Sequence, residues 1–175
     1  MIEIAALFHV AEEQTSASKI NTSEDFMSDA TAAPAAGQTL LQKLMSGRPP
    51  VAELIGFEVP EAAAGRAVVT LQAGPQHANP MGTMHGGILC DIADAAMGIA
   101  FASTLGPGES FTTVELKINF FRPVWQAALR AEGRVIQRGR TIGYVECDIA
   151  DSQGKLIAKS NSTCLVLRGE QAAGR

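Results

Sequence analysis

Residues 88–104 limit what this chain can become more than any other stretch. They are long enough for a helix of about five turns. Ile92, Ala93, Ala95, Ala96, Met97, Gly98, Ile99 and Ala100 leave it almost no polar face. Such a helix has to be buried nearly all round, so the rest of the chain must wrap it. Gly106-Pro107-Gly108 ends it.

The chain beyond Gly108 reads as wrapping material. Four strand-like stretches, 110–121, 127–137, 142–151 and 156–166, are separated by turn signals. The last three are joined by short turns and should be antiparallel neighbours. Upstream, a short strand is expected around 55–59, a turn at Gly65-Arg66 and a strand over 67–72. Residues 39–45 pattern as a short amphipathic helix stopped by Gly47 and Pro49-Pro50. The sum is an α+β domain: an antiparallel sheet of five or six strands around one long helix. Sheet edges and one flank of the helix would still need cover, which a second copy could supply.

Residues 1 to about 37 differ. Ala, Ser, Thr and acidic residues dominate, with little hydrophobic periodicity, so they read as a variable, flexible extension or upstream sequence. Met27 is an alternative start. The expected organisation is therefore 1–37 extension, 38–49 short helix, 50–167 domain and 168–175 C-terminal tail.

The net charge of −4 gives no global basic footprint for nucleic acid. Any anionic ligand must be held by local groups. No apolar run reaches membrane-spanning length, and the first residues lack the basic region of a signal peptide. Cys90, Cys147 and Cys164 have no metal-ligand spacing and read as buried apolar thiols in a reducing, cytoplasmic setting. No metal is expected.

Candidate chemistry gathers just before the helix, in Asn79-Pro-Met-Gly-Thr-Met-His85-Gly86-Gly87. The first N–H groups of a helix lack partners and carry partial positive charge. Two glycines there let a ligand carbonyl approach, as an oxyanion site requires. Taken alone, the pair reads first as a tight turn. Asp91 and Asp94, three residues apart, share a helix face. Asp91 is explained by a first-turn position near the dipole. Asp94 is too deep for that and leans towards use as a general base or nucleophile. His85 alone is best explained as structural, and Asn79 before Pro80 as turn chemistry. His77 and His9 have no evident partner.

Asn79-x5-His85-Gly86-Gly87-x6-Asp94, with a small-residue helix and three turn-linked strands after it, resembles the PaaI-like hotdog-fold thioesterases over about residues 50–167. The resemblance implies a sheet wrapped around a central helix, and dimers with sites at the interface, often paired into tetramers. It implies hydrolysis of an acyl-CoA thioester, with CoA part of the substrate and no separate cofactor. By position, Asp94 takes the family's catalytic carboxylate and Gly86 its carbonyl-polarising N–H. Asn79 falls near the water or carbonyl, and His85 supports the loop. Thr113 aligns with a hydroxyl facing the acid, although Thr112 is its neighbour and a one-residue slip reverses the face.

CoA phosphates would need local donors; Arg122 and Arg138-Gly139-Arg140 are the candidates. Met84, Met97 and Phe120 are candidates for the acyl path, with core packing the alternative. Aryl-acetyl, hydroxybenzoyl and medium-chain acyl groups all suit an apolar interface. Two other readings compete: a hotdog hydratase or dehydratase, and an acyl-CoA-sensing domain without catalysis. The His directly before Gly-Gly favours hydrolysis over the first. Residues 1–49 lack the helix pair of a DNA-binding sensor.

Overall fold

A computed structural model describes residues 39–173. The extension expected over 1–37 lies outside the described residues. Thr39 caps α1 (Leu40–Leu44) reciprocally: its Oγ1 accepts from the Gln42 N–H, and its own N–H donates to Gln42 Oε1 at 2.8 Å. The next helix, α2 (Pro50–Ile55), corrects the expected strand around 55–59. Pro50 stands at the first helical position, where its missing N–H costs nothing. Gly56, at φ +88°, closes α2 in the left-handed conformation. The strand β1 (Phe57–Ala63) begins only after it and runs through Pro60, which sits beside an irregularity in an edge strand.

Ala64 and Gly65 both have positive φ and turn the chain tightly into β2 (Arg66–Ala73). A loop then leads to α3 (Gly86–Ala102). Four strands come after it: β3 (Glu109–Phe120), β4 (Ala127–Arg138), β5 (Ile142–Asp151) and β6 (Leu156–Arg168). Together the strands make a six-stranded antiparallel sheet in the order β1-β2-β4-β5-β6-β3. The turn-linked trio β4-β5-β6 is adjacent, as the short connections require. β3 returns beside β6, which leaves β1 and β3 at the two edges.

The sheet curls around most of α3 but not all of it, which corrects the expected burial nearly all round: Asp91 and Asp94 are exposed on the open flank. Ile92, Ala93, Ala96, Met97, Ala100 and Phe101 are fully buried, and each large one contributes about 1.5–3 kcal/mol. Two glycines make the close approach possible. A Cβ at Gly133 of β4 would overlap the Ala96 carbonyl oxygen, and one at Gly143 of β5 would overlap the Phe101 ring. The outer sheet face is polar. Glu132 accepts from Arg66 Nε at 2.9 Å and from Arg134 Nε at 2.8 Å, with Arg130 beside it. The Arg66 bond leads in pulling the Glu132 carboxyl down to about 2. Cys147 and Cys164 are buried, and burial pushes the Cys147 thiol up to about 12; Cys90 is only half-buried.

Gly133→Ala should therefore lower unfolding stability by about 1–3 kcal/mol in urea denaturation, because the added methyl meets helix backbone rather than a movable side chain. An unchanged midpoint would contradict this account of the helix–sheet contact.

Candidate active site

The loop before α3 is built from its own side chains. Asn79 Nδ2 donates to Thr83 Oγ1 at 2.9 Å, and Asn79 Oδ1 accepts from the Met81 N–H at 2.9 Å. The Asn79 N–H donates to the Thr83 carbonyl at 2.7 Å. Asn79 thus folds the tip of the loop on itself. Downstream, the Met84 N–H donates to the Val124 carbonyl at 2.6 Å and ties the loop to the segment after β3.

His77 turns out to have partners. It is buried, with Nδ1 accepting from the Gly74 N–H at 3.2 Å and Nε2 lying 2.8 Å from the Ile55 carbonyl. That pattern fits the Nε2–H tautomer. The ring fastens the loop to α2, and the His77 carbonyl accepts from the His85 N–H at 2.8 Å. No spacing in the sequence announces this role, because Ile55 is 22 residues away.

His85 is the N-cap of α3. Its Nδ1 accepts from the Gly87 N–H at 2.8 Å, and its extended backbone leads straight into Gly86. The helix thus starts two residues earlier than expected and ends at Ala102. Among the described residues nothing takes the Gly86 N–H, the first of the helix. The Phe120 ring lies over Gly86, so that a Cβ there would come 3.0 Å from Phe120 Cζ.

The earlier start changes the reading of the acids. Asp91 falls outside the first turn, which holds no acidic residue, so the dipole does not explain it. Asp94 lies eight residues after Gly86, about 12 Å along the axis. Its Oδ1 accepts a long bond, 3.4 Å, from Thr113 Oγ1. A break in the β3–β6 register between Thr113 and Glu115 decides which threonine faces the acid. Phe111 and Thr113 before the bulge, and Leu116, Ile118 and Phe120 after it, all point towards α3. Thr112 points away.

Asp94 and Asp91 form one side of a groove of about 480 Å³, closed on the other side by α1, α2 and the start of β1. Apolar surroundings push the Asp94 carboxyl up, Thr113 opposes this with its hydrogen bond, and Asp91 adds to it by like charge. Of the residues considered for an acyl path, Met84 and Met97 are core, whereas Phe120 is exposed at Gly86.

The basic candidates are dispersed. Arg122 is exposed and donates to the Leu156 carbonyl at 2.6 Å. Arg138 is half-buried, paired with Glu109 at 3.1 Å and stacked over Phe101. Gly139 closes the β4–β5 turn, with its N–H donating to the Ile142 carbonyl at 2.9 Å. Arg140 is exposed, and its carbonyl accepts from Arg168 at 2.7 Å. Among the described residues no cluster could hold a metal ion, and no helix is long and apolar enough to cross a membrane.

A loop-capped helix start, a hydroxyl-bonded carboxylate on the same helix and a curled sheet around both can be set against known proteins. The sequence profile of the thioesterase superfamily matches residues 81–158. A Saccharolobus solfataricus protein that carries only a provisional esterase name is 36% identical over 59% of this chain and 74% of its own length. The chain belongs to the thioesterase superfamily. It is therefore a thioester-hydrolysing enzyme by family. The 1,4-dihydroxy-2-naphthoyl-CoA hydrolase of Listeria monocytogenes is 29% identical over 65% of this chain and 93% of its own. The structure of the E. coli PaaI protein from the phenylacetic acid degradation operon superposes with a TM-score of 0.65 and 26% identity, covering 71% of this chain and 89% of that one. The six-stranded sheet around α3 is thus the hotdog fold.

A carboxyl whose folded pKa is raised stabilises the fold when protonated, an effect fully present below its ordinary value and lost as pH rises through the folded one. Ionised Asp94 therefore costs stability at neutral pH. Asp94→Asn should melt above the wild type at pH 7, with the gap closing as pH falls below the ordinary carboxylate value of 3.8. A lower melting temperature for the variant at pH 7 would contradict the assignment.

Proposed function

We propose that this enzyme hydrolyses acyl-CoA thioesters to the free acid and CoA, at a site shared between two copies of the chain. One observation carries the reading. The unpartnered Gly86 N–H and the Asp94 carboxylate stand on residues separated by about 12 Å of rise along one helix. A single thioester carbonyl cannot touch both. Gly86 of one copy opposite Asp94 of another removes the conflict. Edge strand β3 and the segment after it support such pairing: Val114, Phe120, Phe121 and Trp125 are large apolar residues left exposed. Dimers of this kind would pair further into tetramers.

The chemistry follows from the groups. The Gly86 N–H, at the positive end of α3, polarises the thioester carbonyl. Asp94, with one oxygen held by Thr113, takes a proton from water as the water oxygen attacks the carbonyl carbon. The oxyanion collapses, the C–S bond breaks, and the CoA sulfur leaves with the proton. His85 holds the helix start in shape, and Asn79 holds the loop tip. CoA phosphates meet exposed Arg122 and Arg140, while Arg138 and Gly139 build the turn that presents Arg140. The Listeria relative, a 1,4-dihydroxy-2-naphthoyl-CoA hydrolase, supports a CoA ester as substrate.

Thiol release from a panel of acyl-CoAs tests this. Asp94→Ala and Asp94→Asn should each lower kcat about 10²–10⁴-fold. Wild-type rates in both would remove Asp94 from the mechanism. Hydration of crotonyl-CoA without thiol release would favour a hydratase instead.

A further inference from the structure

The groove beside Asp94 is built mostly from outside the family-matched span. α3 contributes Asp91, Asp94, Ala95 and Ile99; every other lining residue lies within residues 44–59. Three of those, Leu44, Met45 and Val51, are large apolar side chains that stay 39–49% exposed. They are turned to the groove, with no part of the described fold covering them. Such a wall needs an apolar occupant. Its volume of about 480 Å³ lies in the range of small-molecule pockets.

The wall is held in place. Arg48 donates from one nitrogen to the Ala52 carbonyl at 3.2 Å and to the Phe57 carbonyl at 3.1 Å, so it clamps the α1–α2 connection against β1. The lining chemistry also selects. The apolar walls are Leu, Met, Val, Ile and Ala, and Gly47, Arg48 and Pro49 complete the rim. Phe57, the one ring among the lining residues, is 3% exposed and offers no free face for stacking. Glu58, Asp91 and Asp94 set three carboxylates at the groove against the one guanidinium of Arg48, which is turned to two backbone carbonyls, so a second negative charge on an acyl group would be repelled.

We infer that this groove holds the acyl chain, that the preferred acyl group is a neutral straight aliphatic one, and that the α1–α2 segment sets its length. The inference rests on the thioesterase reading. The carbonyl would sit at the subunit junction, and the tail would run from it along Asp94, Ala95 and Ile99 beneath Leu44 and Val51.

The test is kcat/KM over acetyl-, butyryl-, hexanoyl-, octanoyl- and decanoyl-CoA, with phenylacetyl- and glutaryl-CoA as the flat and the charged comparisons. Each methylene entering the groove should raise kcat/KM about fourfold until the groove is full. Phenylacetyl- and glutaryl-CoA should fall below hexanoyl-CoA. Ala95→Leu, which narrows the groove from α3, and Val51→Trp, on the exposed face of α2, should each lower the octanoyl-to-butyryl ratio about tenfold. A flat length profile overturns the inference, as does a ratio unmoved in both variants while thiol release persists. No release from any acyl-CoA overturns the thioesterase reading and this inference with it.

Discussion

Everything in this fold depends on one contact, the backbone-close packing of α3 against β4 and β5. A helix whose only charged residues are Asp91 and Asp94, on one face, can be buried over the rest of its circumference only if the sheet comes within reach on several sides. Gly133 and Gly143 remove the side chains that would hold the sheet away from Ala96 and Phe101. Once the sheet curls there, its outer face is left to solvent, and interlocked charges around Glu132 occupy it. The two ends of the curl, β1 and β3, become edges flanking the helix. The helix start, the groove and the exposed apolar edge are all consequences of that wrapping.

Asp94 stands on the flank of α3 that the sheet leaves open, where it is exposed. It lies well past the dipole's reach on a helix whose one other charged residue is Asp91. The β3 bulge supplies its hydroxyl partner. Without the break between Thr113 and Glu115, one alternation could not keep both Thr113 and Phe120 on the helix side. The same irregularity therefore positions Thr113 at the acid and Phe120 at Gly86. These two places, far apart on one helix, are what make a shared site the economical reading.

Much of this is legible in the residues themselves. The apolar helix and the turn-linked β4-β5-β6 order come from periodicity and short connections. The motif running from Asn79 to Asp94 points to the right superfamily. The remainder depends on non-local geometry. Pro49-Pro50 signals the end of α1 and equally the start of α2, so the sequence alone lets a strand claim the end of α2. Gly86-Gly87 patterns as a turn ahead of the helix, whereas His85 caps it and draws both glycines in. The choice between Thr112 and Thr113 needs the register of β3 against β6. The burial of His77 beneath Ile55 and the pairing of Arg138 with Glu109 join residues far apart in the chain, which no local pattern encodes.

The shared site is the central claim, and subunit complementation tests it directly. Gly86→Pro removes the N–H and suits the first helical position once the exposed Phe120 ring yields to the added Cβ, and His85, at φ −65° and ψ 130°, already has the backbone that precedes proline. Chains carrying Gly86→Pro and chains carrying Asp94→Asn should each be inactive alone. Unfolded together and refolded as a mixture, they should regain about a quarter of the wild-type thioesterase rate, since random pairing across a twofold interface gives half hybrids with one intact site each. A mixture as inactive as its components, with hybrid dimers present, would contradict a site built from Gly86 of one subunit and Asp94 of the other.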